Sequence, residues 1–383
     1  MTAAVSAPET TRATSAYVPA LDGMRAIAVL IVVFSHFGLH VVFPGGFGVT
    51  LFFFISGLLI TRLLIAEFNS HQRIAIGAFY VRRFLRLGPA LAVNIAVVCG
   101  IYALLGEPVG KWEVAAAVFY FMNYYYVAIR DLTAPLGILW SLAVEEHYYA
   151  FYPLIFSLAW VRPLRFLRWL LIVSAAVLLW RLVCGYAWPD TLWQNYYRTD
   201  TRIDSILYGA VLACMLELPR FDDLLRRIGD TAGFAIAIVI LLVTFVYRDA
   251  FFRETIRYSL QGIALIPVFY AILFNARFGW LRHMLEHPLM TWIGRLSYSL
   301  YLWNEVVLSL APKLLPMQSF WGHYGLGLLL CFLVAALSYY GVERPFMSLR
   351  RAFRRDGSTE RPAPDAVDAG GPTTLASTPQ QAR

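Results

Sequence analysis

The sequence predicts an all-α membrane protein, a polytopic bundle of about ten transmembrane helices with a re-entrant or extracytoplasmic segment between helices three and four. Composition is the first observation behind this. Of 383 residues, 59% are hydrophobic and 15% charged, with mean hydropathy +0.61, whereas soluble domains carry about 25% charged residues. The second is segmentation. Apolar or aromatic stretches recur near 24–43, 47–66, 88–106, 113–129, 139–160, 166–184, 203–217, 232–247, 257–275, 296–315 and 323–342, most of them near the roughly 20 residues a spanning helix needs. The third is the placement of arginine. If all eleven stretches crossed, Arg162, Arg165 and Arg168 would fall outside, with Arg220, Arg226 and Arg227, inverting the positive-inside rule. A single crossing over 107–160 instead puts 20 Lys and Arg on the cytoplasmic side and 8 outside. The expected topology is therefore multi-pass in the cytoplasmic (inner) membrane, with both termini cytoplasmic.

The elements follow in order. Residues 1–16 are polar and rich in Ala, Thr and Ser, which predicts a disordered N-terminus. They show no signal-peptide pattern, so the first apolar segment reads as a retained helix. That segment holds Arg25 and His36. Ionisable groups at membrane depth are costly and usually face a bundle interior where they handle a substrate, an ion or a proton. Eleven residues at 100° each make about three turns plus 20°, which places both side chains on one face, about 16 Å apart. A snorkelling arginine and a histidine bonded to a neighbouring helix are the plainer alternative. Gly45-Gly46-Phe47-Gly48 then makes a tight outer hairpin.

Arg82, Arg83 and Arg86 precede the third span, and three forked guanidinium groups within five residues suit a polyphosphate. Positive-inside anchoring or contact with anionic lipid would place basic residues there too. In the merged region, Asn123-Tyr124-Tyr125-Tyr126 is interfacial in character, and the run from Arg130 to Gly137 is broken by turn-forming residues. Irregular backbone at membrane depth needs protein or a water-filled cavity beside it, so a cavity is expected here. Trp140 to Tyr149, containing Ser141, Glu145, Glu146 and His147, is the most polar cluster in an apolar context. A carboxylate near a histidine can fix its tautomer and stabilise its imidazolium, with His147 and His36 as the candidate histidines. Arg202-Ile203-Asp204 sits at the outer mouth of a span, consistent with substrate contact or with an ion pair fixing that helix. Glu343-Arg344-Pro345 ends the last span, and the proline stops the helix. A basic run follows, and the Gly- and Pro-rich residues to 383 read as disordered.

Domain boundaries are thus 1–16, 17–346 and 347–383. Cys99, Cys184, Cys214 and Cys331 are scattered without ligand spacing, so neither a disulfide framework nor a metal site is expected. The net charge of +8 is explained by arginines flanking the spans, and no nucleic-acid partner is expected.

Taken together, these motifs resemble the acyltransferase-3 family of integral membrane acyltransferases. The opening Leu21-Asp22-Gly23-Met24-Arg25 with His36 eleven residues on, Phe52-Phe53-Phe54-Ile55-Ser56-Gly57-Leu58-Leu59-Ile60, the arginines at 82, 83 and 86, and Trp140-Ser141-Leu142-Ala143-Val144-Glu145 match its signatures in order. So do Arg202/Asp204, the run Arg295 to Trp303, and Glu343-Arg344-Pro345. The resemblance covers about 17–346. Two positions depart from it: Thr50 stands where the second-helix signature usually has Asp, and Asn304 where the Leu-Tyr-Leu-Trp run is usually followed by His.

The resemblance implies transfer of an acyl group, most often acetyl from acetyl-CoA, onto hydroxyls of surface glycans such as exopolysaccharide or lipopolysaccharide. Acyl-CoA is implied as co-substrate, with no permanently bound cofactor. Arg82, Arg83 and Arg86 are implied to hold the donor and Arg25 to guide it. His36 is expected as general base or acyl carrier, since imidazole titrates near about pH 6.5, with Glu145 supporting it. Trp140, Ser141, Arg202 and Asp204 are expected near the acceptor. Expected partners are membrane lipid, a glycan or lipid-linked sugar acceptor and, because many relatives carry a fused hydrolase-like domain for which this chain leaves no residues, a possible separate acyl-accepting protein. An acyltransferase acting on a secondary metabolite, or a glycan or lipid transporter using the same buried charges, is the rival reading.

Overall fold

The computed structural model describes residues 17–314 and 321–349. The expected disordered termini, 1–16 and the tail beyond 349, lie outside the described residues. Among the described residues every regular element is helical. The long helices are α1 (Pro19–Phe34), α2 (Gly45–His71), α3 (Ile76–Leu104), α6 (Trp140–Ala159), α7 (Pro163–Ala187), α8 (Thr199–Glu217), α10 (Thr231–Val246), α12 (Ile256–Phe274), α14 (Pro288–Leu314) and α15 (Gly327–Ser338). The shorter ones are α4 (Lys111–Val118), α5 (Met122–Ile129), α9 (Asp222–Ile228), α11 (Ala250–Glu254), α13 (Gly279–Leu285) and α16 (Arg344–Leu349). The helical chain therefore runs three residues past the expected boundary at 346.

Starts follow local chemistry. Pro19 and Pro163 occupy the first turns of α1 and α7, where a missing N–H costs nothing. Asp230 caps α10 by accepting from the Gly233 N–H at 2.7 Å. The expected segment 113–129 is two eight-residue helices, α4 and α5. At about 12 Å each they are too short to cross a hydrocarbon core of roughly 30 Å.

Among the described residues six segments are long and apolar enough to span a membrane, or seven if the pair Pro219–Ile228 and Thr231–Val246, bent by 69°, forms one span. That is fewer than ten, and the difference has a physical cause. Helices α6, α8 and α14 are long enough, but they carry the polar clusters on faces turned into the bundle, which lowers their apolarity. At the centre α2 packs directly on α8. A Cβ at Gly57 would stand 1.9 Å from the Ile206 carbonyl oxygen, and one at Gly209 would stand 1.9 Å from that of Phe54. Backbone-to-backbone approach through small residues is how helices gain contact when lipid offers no hydrophobic drive between them.

Candidate active site

Helix α1 ends in a way its hydrophobic pattern does not announce. Regular geometry stops at Phe34, a wide π turn covers Ser35–Leu39, and Gly38 takes φ 85°, a conformation that glycine adopts without steric cost. The non-helical residues are Phe37 and Gly38, so His36 sits in the last helical turn before the break. His40 lies beyond the turn and is exposed.

The turn presents His36, 32% exposed, to a largely polar cavity of about 570 Å³. One wall is the start of α2 at Gly45 and Gly46; another is Tyr196 and Tyr197; α14 supplies Tyr301 and Glu305. The irregular run 130–138 lines a further side, so the expected cavity beside that backbone is present. Buried Glu113 pins this run by accepting from the Thr133 N–H at 2.9 Å, the Thr133 hydroxyl at 2.7 Å and the Ala134 N–H at 3.1 Å. Arg130 lines the same cavity with its guanidinium 3.9 Å above the Trp193 ring.

The tautomer of His36 follows from its neighbour. The Asn304 amide nitrogen donates to the Leu300 carbonyl at 3.1 Å and the Tyr301 carbonyl at 2.6 Å. This leaves its Oδ1 facing His36 Nδ1 at 2.5 Å. An amide oxygen only accepts, so Nδ1 carries a hydrogen, and in the neutral ring the lone pair is on Nε2. Glu305 Oε2 also lies 3.4 Å from Nδ1.

The expected partnership of Glu145 with His36 is not formed. Glu145 accepts from the Ser56 hydroxyl at 2.6 Å and lies 3.9 Å from Arg83. Arg83 also donates to Glu146 at 3.3 Å, and its guanidinium sits 3.4 Å from the Tyr149 ring centre. Two carboxylates and a ring thus hold Arg83 inside the bundle. Arg82 pairs with Glu67 at 3.3 Å, joining the end of α2 to the start of α3. Arg25 pairs with Asp22 at 3.9 Å and acts electrostatically on Glu145 and Glu343; Arg86 acts on Glu343, which accepts from the Ser299 hydroxyl. Motif residues far apart in sequence therefore meet in one ionic network, at the opposite end of α1 from His36. His147 is bonded to Thr199 at 2.7 Å and not to a carboxylate; it opens with Glu146 onto a second, mostly apolar cavity of about 670 Å³.

Of the four residues expected near the acceptor, Trp140 alone lines the His36 cavity. Ser141 is buried against the Tyr301 hydroxyl at 2.5 Å. Asp204 is 0% exposed and engaged by both terminal nitrogens of Arg181 at 2.8 Å and by Ser259 at 2.7 Å. Arg202, also 0% exposed, donates to Thr50 at 3.1 Å and stacks 3.8 Å from the Tyr258 ring centre. Both of these belong to helix packing. Sequence reasoning passed over Arg181 and Glu305. An arginine deep within the apolar stretch 166–184, thirteen residues past Arg168, is the available signal for Arg181, and the position one residue after the Asn304 departure is the signal for Glu305.

The family profile described as an acyltransferase domain matches residues 18–340. Among curated proteins the chain is 30% identical over 365 residues to the peptidoglycan O-acetyltransferase OatA of Listeria monocytogenes, covering 88% of this chain and 57% of that protein. It is 32% identical over 362 residues to the O-acetyltransferase OatA of Staphylococcus aureus strain NCTC 8325, covering 86% and 57%. A putative O-acetyltransferase of S. aureus strain COL matches at 31% over 359 residues, again covering 86% and 57%. The chain thus spans less than two thirds of the length of these relatives. No solved structure matches it. The match over nearly all of the helical region, together with the convergence of the motif residues, shows that the chain belongs to the acyltransferase-3 family of membrane acyltransferases.

Proposed function

We propose that the chain is an O-acyltransferase that moves an acetyl group from acetyl-CoA through the bundle onto a hydroxyl of a surface glycan. Peptidoglycan is the acceptor that the name of one relative supplies; exopolysaccharide and lipopolysaccharide are the further candidates. The observation that carries the reading is His36 in a polar cavity with its Nδ1 held by Asn304 Oδ1, which leaves Nε2 as the ring nitrogen that can take a proton. Nε2 takes the proton of the acceptor hydroxyl while its oxygen attacks the thioester carbonyl. The new C–O bond forms, the C–S bond breaks, and the proton passes to the departing thiolate. The donor phosphates are placed at the arginine end, on Arg82 and Arg86, with Arg25 between them and the interior. Arg25 and His36 are about 16 Å apart along the chain axis, so the thioester enters extended, with its head at one face and its reacting carbon at the other. The acceptor unit packs on Trp140, Tyr196 and Tyr197, since flat aromatic rings suit the apolar faces of sugars.

Purified protein is incubated with acetyl-CoA and either peptidoglycan fragments or lipopolysaccharide oligosaccharides, and free CoA and glycan-bound acetyl are measured. Acetyl appearing on one acceptor, and lost in His36→Ala, is the expected result; no acetyl-CoA-dependent product from either would reject the donor or the acceptor class. Single cysteines at 84 and 191 in a cysteine-free background test the orientation. Position 84 is expected to label from the cytoplasm and 191 from outside; the reverse would remove the donor from the arginine face.

A further inference from the structure

We propose that Glu305 is the carboxylate partner of His36 in this chain, with Asn304 as the lock that fixes which ring nitrogen it serves. This deepens the acyltransfer reading and rests on it. Glu305 Oε2 lies 3.4 Å from His36 Nδ1, the two side chains are 35% and 32% exposed, and both line the cavity. Every other wall of the cavity lacks a carboxylate among the described residues. The start of α2 offers Gly45, Gly46 and Val49, the 126–138 segment offers Arg130 as its charge, α6 offers Trp140, and α3 and the 196–197 segment offer tyrosines. The carboxylate that sequence order suggested, Glu145, is already committed to Ser56 and Arg83.

The division of labour is set by chemistry. Asn304 is neutral and 0% exposed; its oxygen accepts the Nδ1 hydrogen whether the ring is neutral or protonated. Glu305 adds the negative charge that an imidazolium requires and a neutral imidazole does not, so its contribution is largest once Nε2 has taken the acceptor proton. A positioning carboxylate acting this way lowers the barrier without touching either substrate. The Asn304 departure then has a local counterpart: an amide that cannot be protonated stands against the histidine, and the next residue carries the charge.

The test compares wild type, Glu305→Gln, Glu305→Asp, Asn304→Leu, His36→Ala and the double variant His36→Ala/Glu305→Gln in purified full-length protein, measuring kcat and the KM for acetyl-CoA. Glu305→Gln is expected to lower kcat by about 10²-fold while KM stays within about threefold. Glu305→Asp is expected to restore at least about tenfold of that loss, and Glu305→Gln should cost nothing further once His36 is gone. Asn304→Leu, which removes the acceptor for Nδ1–H, is expected to lower kcat at unchanged KM, and it carries the test if Glu305→Gln fails to accumulate. Wild-type kcat in Glu305→Gln, a loss confined to KM, or equal losses from Asp and Gln would overturn the proposal. An inactive His36→Ala beside a fully active Glu305→Gln sinks this inference alone, whereas an active His36→Ala sinks the acyltransfer reading beneath it.

Discussion

Two polar centres lie on either side of Tyr196, and they differ in one property that decides what each can do. On one side Tyr196 lines the His36 cavity; on the other its ring is 5.3 Å from the guanidinium of Arg202. The Arg181–Asp204–Arg202 centre holds three full charges, all 0% exposed, and joins α7 to α8. The His36–Asn304–Glu305 centre holds fewer charges, but its imidazole and carboxylate are each about one-third exposed. A centre whose charges are all sealed from the cavity has nothing within a substrate's reach. An accessible ring whose one nitrogen is tied and whose other is free has one proton site to use. Buried charge within a membrane bundle thus marks a site only when some of its hydrogen-bonding capacity is unspent and reachable.

The largest effect expected from this contrast is at His36. His36→Ala should reduce transfer by 10²- to 10⁴-fold, the usual range for a lost general base, with thermal stability in detergent unchanged. His40→Ala, past the end of the helix and exposed, should leave turnover close to wild type. Equal damage from both would mean that the turn, and not the imidazole, matters. Next comes the sealed side. Asp204→Ala strands the buried Arg181 guanidinium, a loss of about 3–5 kcal/mol for a broken buried pair, and should appear as poor yield and a low melting temperature. Surviving protein should bind acceptor normally. A raised acceptor KM in a stable Asp204→Ala protein would reverse the assignment of the two centres.

Much of this contrast was legible in the sequence and part of it was not, for reasons tied to particular residues. Helical class and the positions of the long helices follow from hydropathy, and motif order singles out Arg25, His36, Glu145 and the arginines at 82–86 as candidates. The broken end of α1 does not, because Gly38 sits within an apolar run that reads as continuous helix and its φ of 85° is a tertiary choice. The partner of Glu145 was misassigned for a related reason. A motif fixes residue type and order, but only packing decides that Ser56 and Arg83 reach this carboxylate before His36 does. Sealing is likewise invisible in one dimension: Arg202 and Asp204 look like a substrate pair until α7 delivers Arg181.

A smaller effect separates the arginines at the proposed donor end. Arg86→Ala, or Arg82→Ala, should raise the KM for acetyl-CoA by roughly 10- to 100-fold, about 1.5–3 kcal/mol for a charge-assisted bond. The same variants should do less to acetyl-pantetheine, which lacks the nucleotide phosphates. Arg83→Ala should behave differently, because Arg83 neutralises Glu145 and Glu146; kcat and stability should fall alike with either donor. A phosphate-dependent KM effect at Arg83 would return it to the donor-binding set.

The smallest effect tests whether the sealed centre is fully satisfied. Arg202 donates one bond to Thr50, while its Nε and Nη1 find no partner. Asp204 is already taken by Arg181, so the Arg202 charge is balanced chiefly by stacking on Tyr258, worth up to about 2 kcal/mol when desolvated. Thr50 is the position where the family signature usually carries Asp. Thr50→Asp places a carboxylate against this guanidinium, at the cost of the Thr50 hydroxyl bond to the Gly46 carbonyl at 3.1 Å. Pairing the buried Arg202 charge should outweigh that single neutral bond, by about 1–2 kcal/mol. The expected reading is a rise of roughly 2–6 °C in melting temperature, with kcat within about twofold of wild type because the centre does not face the cavity. A fall in melting temperature would show that Arg202 is already accommodated without a carboxylate, and a large change in kcat would show that Tyr196 couples the two centres it separates.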